Sequence, residues 1–190
     1  DEEGTAGSWL CMQIVNGNPA ISYFANGTLK YARATDPSGT NWETPVFVDV
    51  AGSVGTYTSL QIVNGNPAIS YYDNTNQDLK YVRANDISGS AWAAPITIDA
   101  IGDVGQWTCL KIVNGNPAIS YCISGSRGLK YIRATDALGT TWGVPDTIVF
   151  SALGSYGAGN SLEIINGNPA ISYYGNSTLN YVRATDVSGD

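Results

Sequence analysis

The sequence contains no histidine, and only 9 Lys and Arg stand against 16 Asp and Glu in 190 residues, a formal net charge of -7. Without histidine there is no Ser-His-Asp or Cys-His nucleophile pair, no imidazole zinc ligand and no imidazole acid or base. So few cations under an excess of acids cannot form the basic stripe that neutralises phosphates, and no nucleic-acid partner is expected. Long apolar runs are missing as well: none approaches the roughly 20 residues of a membrane span, so a soluble chain is expected. The sequence opens at Asp1 with neither an initiator Met nor a basic leader, from which we expect a processed or excised piece. Charged residues are scarce, at 13% against a usual ~25%, which leaves little for long salt-bridged surface helices.

What is present points to an all-β protein. Glycine is abundant, at 22 residues, and the apolar residues are mainly Ile, Val, Tyr and Trp, which suit a pleated, half-buried surface. The string NGNPAISY stands at 16–23, 64–71, 114–121 and 166–173. After each copy come LKY or LNY and then Arg33, Arg83, Arg133 or Arg183, followed by Asp36, Asp86, Asp136 or Asp186. Trp42, Trp92 and Trp142 complete the first three copies. Within a unit the apolar period is two. Residues 59–63 and 67–72 flank Asn64-Gly65-Asn66 as strands A and B, Leu79–Ala84 is strand C, and Pro95–Asp99 is strand D. The loop from Ala100 to Gln106 leads to the next strand A.

A four-stranded antiparallel unit recurring about every 50 residues reads as a β-propeller blade. A sandwich would not repeat its sequence this closely, and solenoid coils are shorter. The chain is therefore read as one repeat domain of about four blades, over approximately 8–50, 57–100, 107–150 and 160–190. The last lacks its outer strand, and the whole is a small ring or half of a larger one. Open edges make self-association as a homodimer or ring the expected partnership.

The turns between strands C and D, RATDPSGTNW, RANDISGSAW and RATDALGTTW, resemble the Asp-box or BNR repeat of sialidase-type propellers. Two residues rather than one separate the Asp from the Gly, and Ala34 stands at the usual Ser/Thr position. The resemblance implies the fold and, for the family's active enzymes, an arginine clamp with a Tyr nucleophile assisted by a carboxylate. Only Arg127 lies outside the repeated positions, so a sialidase-like glycosidase is ranked third.

Residues repeated in every unit are read as scaffold, with the four Arg tying the Asp of the C to D turn and the three Trp completing that turn. Function is expected where copies differ, on loops displayed by a rigid frame. Trp9, Tyr57 and Trp107 occupy equivalent entrances to strand A, with Tyr156 in the last connection, and the B to C loops contribute Asp73, Asn74 and Arg127. Aromatic faces beside such polar groups are what carbohydrate or peptide recognition requires; the alternative is core wedged between blades. Asp73 and Asp78 are a candidate carboxylate pair. The leading expectation is thus a non-enzymatic module of the extracellular space or cell surface that binds carbohydrate or protein. The alternative is a self-assembling repeat without a small ligand.

No cofactor or metal is expected, because Asp36-Pro37-Ser38-Gly39 lacks the dense oxygen pattern of a calcium loop. If Gly115 and Asn116 centre the hairpin, Cys109 faces Cys122; a cross-strand disulfide or two buried thiols are then the two readings, with Cys11 unpaired. Asn26-Gly27-Thr28 and Asn176-Ser177-Thr178 match glycosylation acceptors in B to C loops.

Overall fold

Each NGN string makes its hairpin through Asn and Gly together. Asn16 and Gly17, Asn64 and Gly65, Asn114 and Gly115, and Asn166 and Gly167 all have positive φ, the signature of a two-residue turn that matches strand twist. The pairs closing these turns are Val15 with Asn18, Val63 with Asn66, Val113 with Asn116 and Ile165 with Asn168. This corrects the expected register. Because Asn114 and Gly115 form the turn, Cys109 lies opposite Ser120 and Cys122 opposite Gln106, so the two thiols do not face one another. All three cysteines are free.

The computed structural model describes residues 6–151 and 155–189. The first blade holds β1 (Ala6–Val15), β2 (Asn18–Ala25), β3 (Thr28–Arg33) and β4 (Val46–Asp49). The second holds β5 (Val54–Val63), β6 (Asn66–Asp73), β7 (Asp78–Arg83) and β8 (Ile96–Asp99). The third holds β9 (Val104–Val113), β10 (Asn116–Ile123), β11 (Gly128–Arg133) and β12 (Asp146–Phe150). The fourth holds β13 (Ser161–Ile165), β14 (Asn168–Gly175) and β15 (Thr178–Arg183), without an outer strand among the described residues. Every sheet is antiparallel in chain order, and the molecule is an all-β partial propeller.

The core sits between blades rather than within them. Leu29 and Tyr31 of the first blade pack on Leu60, Ile69, Tyr71 and Val82 of the second, and the same layers recur at the next two joints. The inner strand of one blade approaches strand C of its predecessor so closely that a Cβ on Gly55 would lie 2.8 Å from the Leu29 Cα. The inner strands also begin earlier than expected: β9 starts at Val104, inside the stretch read as loop.

The C to D turns are closed by their Asp. Asp86 accepts the amides of Ser88, Ser90 and Ala91 at 2.9, 3.2 and 2.9 Å, while Trp92 Nε1 donates to the Gly89 carbonyl at 2.8 Å. Asp36 and Asp136 make the same three amide bonds. The repeat arginines do not join them, contrary to expectation. Arg83 instead holds the carbonyls of Val63 and Asn64, and Arg33, Arg133 and Arg183 do likewise in their blades, because the A to B turn exposes carbonyls its own strands cannot satisfy.

Partial desolvation raises the Asp86 and Asp136 carboxyls, but hydrogen bonds from hydroxyls and amides outweigh it and hold both well below the usual range. The Asn41 and Thr40 amides lower Asp36 in the same way. A depressed folded-state pKa contributes stability that is complete above the unfolded value of about 4 and is lost as pH falls toward the folded one. The melting temperature should therefore fall steadily below about pH 4, and Asp86→Asn with Asp136→Asn should flatten that dependence; thermal melts from neutral to acid pH measure both.

Candidate functional site

Near the start of the inner strands β1, β5 and β9 the ladder slips twice, each time by one extra residue, the second slip falling at the aromatic. Thr56 pairs with Tyr72 but Ser59 with Ser70, and the same shift separates Ser8 from Cys11 and Gln106 from Cys109. The bulge turns Trp9, Tyr57 and Trp107 into the left-handed region, at φ 51, 54 and 56. A bulky residue there costs on the order of 1 kcal/mol, and such strain recurs at functional sites. The result is convergence: the Tyr57 ring lies 4.0 Å from Trp9 and 5.0 Å from Trp107, and the two tryptophans meet edge to face at 5.9 Å.

These rings line a cavity of about 190 Å³ with Leu10, Thr58, Thr108 and Asn160. The polar members are locked across blades. Ser22 and Thr58 share a hydrogen bond of 2.7 Å, Ser70 donates to Thr108 at 2.9 Å, and Ser120 donates to Asn160. Thr108 and Asn160 also donate to the carbonyls of Tyr57 and Trp107, at 2.8 and 2.7 Å. The strained aromatic of one blade is thus pinned by the next.

Carboxylates at this end divide into two groups. Asp49 accepts from Tyr71 and Lys80 at 2.6 and 3.0 Å, and Asp99 from Tyr121 and Lys130, both at 2.7 Å. Asp73 is buried, lies 3.5 Å from Lys80 and caps its own loop at Thr75 and Asn76. All three are consumed by the frame. Asp103 and Asp78 are not. The Val104 amide donates to the Gln77 carbonyl at 3.0 Å, which draws their loops together. Burial, and then the Asp73 charge, push the Asp78 carboxyl up, the direction that keeps an acid protonated.

Asp103 accepts from the Tyr72 hydroxyl at 2.7 Å. Burial, reinforced by that bond, pushes the Tyr72 phenol up to about 12. A phenol held so high donates rather than attacks, so Tyr72 orients Asp103. Tyr72 also meets Tyr57 edge to face at 6.2 Å, linking this pair to the aromatic cavity. On its other side Asp103 borders a recess of about 370 Å³ with Ser124, Arg127 and Phe150.

Of the residues singled out in sequence, Trp9, Tyr57 and Trp107 come together. Asn74 accepts from Thr56 of β5 at 3.3 Å, and Tyr156 forms backbone bridges with Arg127 and Gly175 away from the rings. Sequence reasoning passed over Asp103 and Tyr72. A signal existed: Asp103 stands where the preceding connection has Ser53, and Tyr72 where the first and third copies have Phe24 and Cys122. Among the described residues no cluster of three or more His, Cys, Asp or Glu is placed to hold a metal ion. No helix among them is long and apolar enough to cross a membrane.

No protein-family model and no curated protein matches the chain. Solved structures do. A Hadza microbial sialidase shares the fold at a TM-score of 0.67 and 14% identity, over 100% of this chain and 46% of the sialidase. The exo-β-1,3-galactanase of Phanerochaete chrysosporium matches at 0.62 and 14%, over 92% of this chain and 45% of the enzyme. The α-L-arabinofuranosidase of Lactobacillus brevis matches at 0.60 and 10%, over 92% and 71%. The chain thus spans under half the length of the sialidase and the galactanase. These likenesses establish a propeller of the kind found in sialidases and other glycoside hydrolases, and they correct the expectation of a non-enzymatic binding module.

Proposed function

We propose that the chain forms the substrate-facing blades of a glycosidase. One observation carries this reading: three strained aromatic residues from successive blades converge at one cavity and connect through Tyr72 to Asp103, a carboxylate the frame leaves accessible. Sugar rings stack on aromatic faces, and glycoside hydrolysis commonly uses two carboxyl groups, one of them with a raised pKa. Asp78, whose carboxyl burial pushes up, fits the acid, and Asp103, held by Tyr72, fits the second carboxyl. A neutral sugar is favoured over a carboxylated one, since the four repeat arginines are occupied by turn carbonyls at the other end of the blades and Arg127 alone is at the recess. The C to D turns support assignment to the Asp-box class, because the Asp, the Gly carbonyl and the Trp close one another. Work outside the cell fits such chemistry and the exposed acceptor triplets at Asn26 and Asn176.

The test is release of nitrophenol from neutral aryl glycosides, galactosides and arabinofuranosides included. Asp103→Asn should lower turnover on the order of 10²-fold with melting unchanged, while Trp107→Ala should raise KM more than it lowers kcat. Absence of hydrolysis across the panel, or full activity in Asp103→Asn, would sink the reading.

A further inference from the structure

The three joints inside the chain are copies of one contact. Tyr31 of strand C donates to the Ser88 carbonyl of the next blade at 2.9 Å, Tyr81 to Leu138 at 3.0 Å, and Tyr131 to Ser188 at 2.8 Å. The ring lies over the turn glycine, with Trp92 or Trp142 edge-on at 5.2 Å in the first two joints. A Cβ on Gly89, Gly139 or Gly189 would come within 2.6 to 2.8 Å of that tyrosine. Each joint is therefore a knob in a fitted socket.

The chain carries a fourth knob and a fourth socket, and both are open. Tyr181 is 58% exposed, whereas Tyr31, Tyr81 and Tyr131 are at most 3% exposed. Leu179 beside it is 84% exposed where Leu29, Leu79 and Leu129 are wholly buried. On the first blade, Gly39 has no tyrosine over it, and the nearest atom to its Cβ position is Pro19 Cγ at 3.4 Å. Trp42 is exposed, and Met12 is 62% exposed where Leu60, Leu110 and Leu162 are buried. A cavity of about 380 Å³ lies on this face, lined by Leu10, Ile21, Ala32, Trp42 and Pro45 among others.

We propose that these surfaces are the two halves of one interface, and that its occupant is a second copy of this chain, docked head to tail. The face around Gly39 and Trp42 has the chemistry of the occupied sockets, and the face around Tyr181 and Leu179 has that of the occupied knobs. The argument is continuity with a joint the molecule already makes three times. Tyr181 of one protomer donates to the Ser38 carbonyl of its partner, Leu179 covers Met12, and the reciprocal contact closes a pair.

The experiment is native mass across a dilution series for three samples. The unaltered chain should show twice the chain mass. Tyr181→Ala removes the knob, and Gly39→Ala obstructs the socket while meeting no atom closer than Pro19 in the isolated chain. Each variant alone should run at the single-chain mass, with circular dichroism reporting retained strands. Mixed one to one, they should recover the double mass, because the intact knob of one finds the intact socket of the other. A single-chain mass for the unaltered protein at every concentration would overturn the proposal, as would a double mass that survives both substitutions or a mixture that fails to recover it.

Discussion

Asp99→Ala should lower the unfolding free energy by about 3–5 kcal/mol, the range for removing one partner of a buried ion pair. Asp99 lies at the end of β8 and reaches into the joint with the third blade, where its carboxylate accepts from Lys130 and Tyr121 at 2.7 Å and from the Ile101 amide at 3.0 Å. Its desolvation raises the carboxyl, yet these donors outweigh that and leave it lowered, so the group is ionised at neutral pH. Deleting it strands an ammonium whose side chain is only 12% exposed, together with a buried phenol. For a chain of this size the loss corresponds to a fall in melting temperature of roughly 10 °C.

The protein contains its own control. At the last joint the residue paired with Leu129 is Val149, where Asp49 and Asp99 pair with Leu29 and Leu79. The residue opposite Tyr173 is Asn180, where lysine stands in the earlier copies. Acid and base are thus replaced together. Asp99→Val combined with Lys130→Asn should accordingly recover most of the stability lost by Asp99→Ala, since no unpaired charge remains in the joint. Denaturant unfolding of the three proteins measures it; a double variant as unstable as the single one would show that Asp99 matters for something other than neutralising Lys130.

Gly105→Ala should cost about 3 kcal/mol or more, combining overpacking with a backbone conformation that alanine rarely adopts. Gly105 sits at φ +109, and a Cβ there would lie 2.8 Å from the Leu79 Cα and 3.0 Å from its nitrogen. Backbone cannot swing aside as a side chain can. The inner strand of the third blade must therefore retreat from the second, carrying Trp107 with it. Gly102→Ala separates the two contributions: Gly102 has φ +87 but no atom within 4 Å of the Cβ position. It should lose only the conformational part, about 1 kcal/mol. Equal destabilisation by both substitutions would refute the close-approach argument.

Architecture was legible because it is local and repeated four times. An Asn-Gly pair fixes a two-residue hairpin, period-two apolar strings fix the strands, and the Asp, Gly and Trp of the C to D turn close on one another within a few residues. Register was not legible, because NGN allows a turn on either Asn114-Gly115 or Gly115-Asn116, and this one-residue difference decides whether Cys109 faces Ser120 or Cys122. Arg33 and its counterparts stand three residues from an Asp, yet their partners are carbonyls 17 to 20 residues back along the chain.

The site was legible only as three equivalent aromatic positions. Their convergence depends on bulges that no local propensity predicts for Trp and Tyr, because the left-handed backbone is maintained by packing and by hydrogen bonds from the following blade. Sequence by itself determined the blades, their order and the turn chemistry, since each rests on neighbours in the chain. Tertiary structure decided which carboxylates are spent in joints, which remains beside Tyr72, and which surfaces stay open. Those outcomes depend on contacts between residues 22 to 57 positions apart, whose burial and partners follow from how one blade seats on the next.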